Sequence, residues 1–249
     1  MSAKFNDKVA LVTGGGSGIG RTIAKHLADH GCHVVILGRN IDALKESAKQ
    51  HSLIAYIKAD ISLSADVSHV LQDIKNRFGR LDILVNNAGV APVTPLAELD
   101  ITEFDSVFNV NVRGVIDLTK QSLPLLKQHK GNVVNISSAV ANNPLPNMSV
   151  YSSSKAALNT LTRVWAKELA SDGIRVNSVS VGPIETPIYE KAGLSEEEKK
   201  QHIATVQRIV PLGRFGKAED VAYVVSFLAS EEASFVTGSD YAVDGGFAA

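Results

Sequence analysis

The sequence predicts an α/β fold: one domain built on a doubly wound parallel sheet, Rossmann-like, with helices on both faces. Three observations carry this. Short apolar runs alternate with stretches of helical spacing from Val9 to Val181, the pattern of repeated strand–helix–strand units. The first run leads through a glycine cluster straight into the first helix. Gly14, Gly38, Asp60, Asn87, Ser138 and Gly182 each follow a predicted strand, on the edge where parallel sheets bind ligands.

Val9–Val12 is too brief for a helix and is followed by glycines, so it reads as a buried strand. After Gly20, Ile23, Ala24 and Leu27 share one helix face and Gly31 supplies a stop. Between the two lie Gly14, Gly15, Gly16, Ser17, Gly18 and Gly20, in the spacing G-x-x-x-G-x-G. Such a turn points backbone N–H groups outward at the positive end of the helix dipole, which makes an anion site suited to a pyrophosphate. The second strand, His33–Leu37, ends at Gly38-Arg39-Asn40, and Asn40 is placed to cap a helix over Ile41–Gln50. Leu53–Ala59 is the third strand, ending in Asp60. Ser64 is expected to cap an amphipathic helix carrying Val67, Val70, Leu71, Ile74 and Phe78.

The fourth strand, Leu81–Gly89, runs into a polar turn, and a long helix is predicted over Thr102–Gln128, with Pro124 marking a kink or break. Asn132–Ser138 is the fifth strand, Val150–Ala170 the next helix and Arg175–Val181 the sixth strand. The rhythm breaks at Ile184–Ile209, where Glu196–Lys200 form a charged run suited to a solvated helix face. The position of this segment suits a substrate lid over 184–209. A helix over Ala218–Ala229 and a strand near Asp240–Val243 close the chain. No repeat, low-complexity stretch or linker appears, so residues 1–249 are read as a single domain.

Composition excludes several functions. A net charge of −1 gives no electrostatic case for nucleic acid or an anionic membrane surface. No apolar run approaches the ~18 residues of a membrane span, and the N-terminus carries no apolar signal segment. Cys32 is the single cysteine, which rules out an intrachain disulfide and suits a cytoplasmic location. His26 and His30 stand four apart with Cys32 and His33 beyond, but no carboxylate or thiolate set completes a ligand shell, so no metal is expected.

Tyr151 and Lys155 stand four apart on one helix face. A cation beside a phenol favours phenolate, so the expectation is a tyrosine pKa drawn down from ~10 toward working pH, which makes Tyr151 a candidate acid/base. Ser138 closes a strand predicted to lie alongside.

Taken together, the motifs resemble the short-chain dehydrogenase/reductase family over essentially the full length. Thr13–Gly20 matches its T-G-x-x-x-G-x-G, Asn86–Gly89 its N-N-A-G, and Asn111, Ser138, Tyr151 and Lys155 its tetrad, with Ser138 thirteen residues before Tyr151. Arg208–Phe215 and Val243–Gly246 are similar to family segments as well. The resemblance implies hydride exchange between a nicotinamide and a carbonyl or secondary alcohol. In it Tyr151 moves the proton, Ser138 holds the substrate oxygen, Lys155 binds the nicotinamide ribose and depresses the Tyr151 pKa, and Asn111 holds a water linking Lys155 to solvent. It also implies that Gly14, Ser17, Gly18, Ile19 and Gly20 cradle the cofactor. Asp60 and Ile61 would meet the adenine, Asn87, Ala88 and Gly89 the adenosine ribose side, and Gly182, Ile184 and Thr186 the nicotinamide. One departure is Val181-Gly182, where the family usually has Pro-Gly.

No carboxylate stands at Gly38 to accept from an adenine ribose 2′-OH, and Arg39 follows with a guanidinium able to pair with a 2′-phosphate, to which Ser17 could add a donor. NADP(H) is therefore expected as the preferred cofactor. NAD(H) remains possible, because the glycine turn holds no basic residue. A small carbonyl or alcohol substrate leads. Its walls would come from Pro92–Thr94, Val140–Met148 and Tyr189–Ile209. The alternative is a 3-oxoacyl-[acyl-carrier-protein] reductase: His129-Lys130 is basic, but Asp172 falls where a second basic residue is expected. A catalytically silent dinucleotide sensor is the distant alternative, opposed by the intact Tyr151 and Lys155. The resemblance further implies a homotetramer assembled through the two long helices and the C-terminal strand region.

Overall fold

A computed structural model describes residues 4–185, 204–206 and 208–249. Seven strands form one sheet in the order β3-β2-β1-β4-β5-β6-β7, every neighbouring pair parallel. They are β1 (Val9–Thr13), β2 (His33–Gly38), β3 (Ile54–Lys58), β4 (Ile83–Asn86), β5 (Asn132–Ser138), β6 (Arg175–Val181) and β7 (Asp240–Val243). The helices are α1 (Gly18–Asp29), α2 (Ile41–Ala48), α3 (Ser64–Phe78), α4 (Ile101–Phe108), α5 (Val115–His129), α6 (Ser149–Glu168) and α7 (Ala218–Ala229).

The two-residue period of the strands divides the core into two layers. Ala10, Val12, Val34 and Ile36 pack with Ile23 and Leu27 of α1, Leu44 of α2 and Val221 and Val225 of α7. Val9, Leu11, Val35 and Leu37 face the other way, onto Val67 and Val70 of α3, Leu118 and Leu126 of α5 and Ala166 of α6. Strands buried on both faces read as unbroken apolar runs, which is why β1 and β2 were legible as such. The chain reverses its direction of strand addition between β1 and β4, and the crevice at that switch point receives the glycine turn.

Two sequence expectations are corrected. The long helix is interrupted not at Pro124 but earlier: α4 and α5 flank a π-helical segment, Asn109–Gly114, that contains Asn111. Pro124 sits inside α5, where it forfeits one backbone hydrogen bond, while the adjacent buried Leu125 and Leu126 hold the helix to the sheet through His129. Ser64 is the first residue of α3 rather than its cap. Leu63 takes the capping position with no side-chain bond, and the Ser64 hydroxyl accepts from Gln121 Nε2 at 3.1 Å. Asn40 does cap α2, accepting from the N–H groups of Asp42 and Ala43 at 3.1 Å each. Of the lid at 184–209, residues 186–203 and 207 lie outside the described residues.

Candidate active site

The nucleotide side of the site is made largely of backbone. Thr13, buried at the end of β1, accepts the N–H groups of Asn87 at 2.9 Å and Ala88 at 2.8 Å on its hydroxyl. Asn87 Nδ2 donates back to the Thr13 carbonyl at 2.9 Å and toward Gly14 O at 3.4 Å. The ends of β1 and β4 are thereby locked, and two glycines are forced. Gly14 has φ +66°, and a Cβ there would sit 2.9 Å from Asn87 Nδ2. A Cβ on Gly20 would collide with the Gly14 carbonyl and with Asn87 Nδ2.

Ser17 takes the N-cap position of α1 without a side-chain bond to the helix, and no acidic residue lies in the first turn. The first-turn N–H groups therefore face the crevice unclaimed by a side-chain cap, as an anion requires. Arg21 braces the turn from behind, donating to Gly16 O and, at 2.8 Å, to the Ser47 hydroxyl on α2. A cleft of about 340 Å³ opens here, lined by Gly14, Ser17, Gly18, Ile19, Gly20, Arg39, Asp60, Ile61, Asn87, Ala88 and Gly89. The residues expected from sequence are thus brought together, with Leu37, Ala59, Val90 and Val110 completing the walls.

Within the cleft, Asp60 Oδ1 accepts from the Ser62 N–H at 2.9 Å and its hydroxyl at 2.7 Å, and the Asp60 N–H donates to Asp66 Oδ2 at 2.8 Å, which fixes the carboxylate at the rim. Arg39 is exposed and makes no ion pair among the described residues. A Cβ at Gly38 would meet only Leu44 Cδ2, at 3.7 Å.

The facing side of the candidate site is made of side chains. Ser138 ends β5, its hydroxyl donating to Val181 O and accepting the Val140 N–H, each at 3.4 Å, and it neighbours the Tyr151 phenol of α6. Lys155 is buried one turn further along α6. Its Nζ donates to the Ile136 carbonyl at 2.7 Å and lies 5.8 Å from the Tyr151 ring centre. A Cβ placed on Gly89 would lie 3.6 Å from that ammonium, so the nucleotide cleft and Lys155 adjoin.

Desolvation governs both titrating groups. Burial pushes the Tyr151 phenol above its ordinary range, opposed by the neighbouring Ser138 hydroxyl, and brings Lys155 down to about 8. The expectation that Lys155 depresses the tyrosine is therefore corrected. The ammonium faces a carbonyl and the ring, and burial outweighs it.

Asn111 spends its side chain on structure. Nδ2 donates to Val90 O at 2.9 Å and Ser154 Oγ at 3.1 Å, and Oδ1 accepts the Val90 N–H at 2.9 Å. This pins the loop after β4 to α6. Gly182 donates its N–H to Val243 O at 3.0 Å, and Ile184 bridges to Gly216. Ile184 borders a different cavity, of about 550 Å³, beside the C-terminal Asp244–Gly246, and Gly182 lines neither cleft. Thr186 and Tyr189 lie outside the described residues. The His26 and His30 rings lie tilted against one another with centroids 4.4 Å apart, whereas Cys32 is sealed in the core with its thiol pushed up to about 12 by burial, so the two kinds of donor do not converge.

Residues 14–248 match the family described as enoyl-(acyl carrier protein) reductase. The 3-oxoacyl-[acyl-carrier-protein] reductase of Thermotoga maritima is 38% identical over 248 residues, covering 98% of both chains. The enzyme of that name from Chlamydia muridarum is 35% identical over 254 residues and the full length of both. The chain belongs to the short-chain dehydrogenase/reductase family. A crystal structure of levodione reductase superimposes with a TM-score of 0.92 at 33% identity, covering 98% of each chain.

As a short-chain dehydrogenase/reductase the protein is an oxidoreductase acting on CH–OH or ketone groups, with a nicotinamide cofactor. The residues present fit that cofactor, because the glycine turn leaves space that a Cβ at Gly14 or Gly20 would take, beside the open start of α1. Val181, at the position where this family usually has proline, simply completes β6, in register with Ser138 on one side and Val243 on the other.

Sequence reasoning passed over two things. Thr13 was read only as a motif letter, although its hydroxyl organises the N-N-A-G segment. A buried chain of amides and hydroxyls was also missed: Asn86 Nδ2 donates to Thr119 Oγ1 and Asn135 Oδ1, and Asn135 Nδ2 donates to Thr162 Oγ1, so that β4, β5, α5 and α6 are tied beneath the site. Asparagines inside apolar strands (ILVNN, NVVNIS) were the available signal.

Proposed function

We propose that the protein is an NADP(H)-dependent oxidoreductase that interconverts a small carbonyl compound and its secondary alcohol, with Tyr151 as the acid/base. The observation that carries this reading is the grouping of the buried Tyr151 phenol with Ser138 at the end of β5 and the buried Lys155, whose Nζ lies 5.8 Å from the Tyr151 ring. A phenol held protonated at neutral pH is poised to give its proton to a carbonyl oxygen. Ser138 orients that oxygen through its hydroxyl, and the Lys155 cation offsets the phenolate left behind. The nicotinamide supplies or accepts the hydride. Lys155 also binds the nicotinamide ribose, next to Gly89. Because both hydrogens of the Asn111 amide are taken by protein, a water chain from Lys155 to solvent starts from the Asn111 main chain.

Arg39 and Ser17 receive the 2′-phosphate at a rim where Gly38 leaves no carboxylate to repel it. Asp60 receives the adenine amino group, Asn87 to Gly89 line the ribose side, and Gly182, Ile184 and Thr186 hold the nicotinamide end.

The second reading, a 3-oxoacyl-[acyl-carrier-protein] reductase, draws on the names of the curated relatives. Two observations weigh against it. Asp172 pairs with Lys127 at 2.8 Å and reduces the basic character of that corner. His129 and Lys130 also precede β5, seven strand residues from Ser138 and so about 20 Å away at the opposite edge of the sheet. Within one chain this cluster does not border the entrance.

Assembly as a tetramer draws on Ile101, Phe104, Ile116 and Val164, apolar residues left exposed along α4, α5 and α6. No described helix is long and apolar enough to cross a membrane, and a cytoplasmic location rests on the single cysteine. The test is kcat/KM with NADPH and NADH against a panel of small ketones and acyl thioesters, with light scattering for assembly. Turnover of small ketones with NADPH preferred is expected. Turnover confined to acyl thioesters selects the second reading, and no turnover at all selects the sensor.

A further inference from the structure

Asp240, the first residue of the edge strand β7, is gripped by four side chains from three other parts of the fold. Its Oδ1 accepts from the hydroxyls of Ser178 and Ser180, each at 2.8 Å, and its Oδ2 accepts from Asn159 Nδ2 at 3.0 Å and Asn142 Nδ2 at 3.2 Å. Only a carboxylate offers lone pairs to that many donors at once. Ser178 and Ser180 are alternate, fully buried residues of β6 and share one face of the sheet. Asn159 follows Tyr151 by eight residues and Lys155 by four, so all three lie on one face of α6. Asn142 closes the short turn Ala139–Ala141 that begins directly after Ser138. One carboxylate thus joins the helix carrying Tyr151 and Lys155 to the segment anchored by Ser138.

The side chain is not needed to hold β7 in the sheet. Main-chain bonds do that, from Ser178 N–H to Ser239 O at 2.9 Å and from Gly182 N–H to Val243 O at 3.0 Å. Asn159 is buried and its Oδ1 has no partner among the described residues, so its Nδ2 contact with Asp240 is what holds the amide in place. We propose that Asp240 is a positioning residue: by holding Asn142 and Asn159 together it fixes the separation between Ser138 and Tyr151, and so sets turnover without touching substrate or cofactor. This rests on the roles given above to Ser138 and Tyr151.

The test compares Asp240→Ala, Asp240→Asn, Asn142→Ala and Tyr151→Phe with the parent, using the best ketone substrate from the panel. The measurements are kcat, the NADPH Kd by fluorescence, Tm, and hydrogen exchange of the free enzyme. For Asp240→Ala, kcat falls about tenfold, because a sub-ångström loosening of reacting groups is costly. The NADPH Kd stays within about twofold, as expected when only the chemical step suffers. Exchange rises across residues 139–152 and not in α1. Asp240→Asn recovers most of the rate, because the serine hydroxyls can turn to accept from its amide while its Oδ1 serves Asn142 and Asn159.

Asn142 is exposed, so Asn142→Ala folds and decides the matter even if Asp240→Ala does not; it should lose kcat severalfold. Unchanged kcat in Asn142→Ala, an Asp240→Asn protein as impaired as Asp240→Ala, or exchange that rises everywhere with a lowered Tm would each overturn the proposal. If Tyr151→Phe keeps its turnover, the underlying mechanism fails. If it loses turnover while Asn142→Ala does not, only the positioning role fails.

Discussion

The two halves of the site are built from different materials. The nucleotide half is backbone: the glycine turn and the open end of α1, with Thr13, Asn87 and Arg21 spent on bracing it. The half to which we assign the chemistry, the catalytic half, is a set of side chains, Ser138, Tyr151 and Lys155, whose properties are set by what surrounds them. Changes in the first half should therefore act through shape and binding. Changes in the second should act through chemistry and charge, leaving the turn intact.

The strongest test of that division is Tyr151→Phe. Positioned proton transfer contributes roughly 10²–10⁴-fold, so kcat should fall by about that much while NADPH binding is retained. A phenylalanine enzyme with ordinary turnover would break the comparison, because the catalytic half would then hold no chemistry. Lys155→Met should lose both turnover and cofactor affinity, since Lys155 alone belongs to both halves. Stopped-flow turnover and fluorescence titration separate the two losses.

Next in size is cofactor choice. A charge-assisted pair to a phosphate contributes about 1.5–3 kcal/mol, roughly ten- to a hundredfold in affinity. Gly38→Asp with Arg39→Ala should reverse the NADPH preference in kcat/KM by about that factor. The aspartate is sterically admissible, since the only neighbour within reach of its Cβ is Leu44 at 3.7 Å. A parent enzyme that already favours NADH would remove the role given to Arg39.

Gly20→Ala sharpens the contrast from the other side. The new methyl meets backbone, the Gly14 carbonyl, so the turn must shift. A cost of about 1–3 kcal/mol lowers Tm by roughly 2–10 °C and weakens both cofactors together. A loss of kcat with cofactor affinity intact would contradict the division.

The nucleotide half was the more legible in the sequence for the same physical reason. Glycine spacing records backbone geometry directly, and the unbroken apolar runs of β1 and β2 record burial on both faces. The tetrad positions were legible as residues, but their state was not. Four-residue spacing places Lys155 near Tyr151, yet it cannot say that Nζ turns to Ile136 O and that burial pushes the phenol up. The π segment around Asn111 was hidden because helical spacing barely registers one widened turn, and Pro124 offered a false break beside it. Asp240 escaped notice because its partners, Asn142, Asn159, Ser178 and Ser180, are scattered along the chain.

The smallest expected effect reads the catalytic half through stability. Lys155 titrates near 8 when folded and at 10.5 in its ordinary state. Between those values the unfolded chain binds more protons than the folded one, so this group makes stability rise with pH across the window. Cys32 acts oppositely from about pH 8 upward, because its folded thiol is held near 12 and the unfolded one ionises first. Tyr151, raised by burial, adds to that opposition above 10. From pH 8 to 9 Lys155 should contribute about 1 kcal/mol, or roughly 2–4 °C in Tm, and the opposing Cys32 slope is common to parent and variant and cancels in their difference. Lys155→Met has no such group to desolvate, so the Tm difference between parent and variant should shrink by that amount from pH 8 to pH 9. A difference that stays constant would mean that Lys155 is not desolvated in solution, and the charge-based account of the catalytic half would have to be given up.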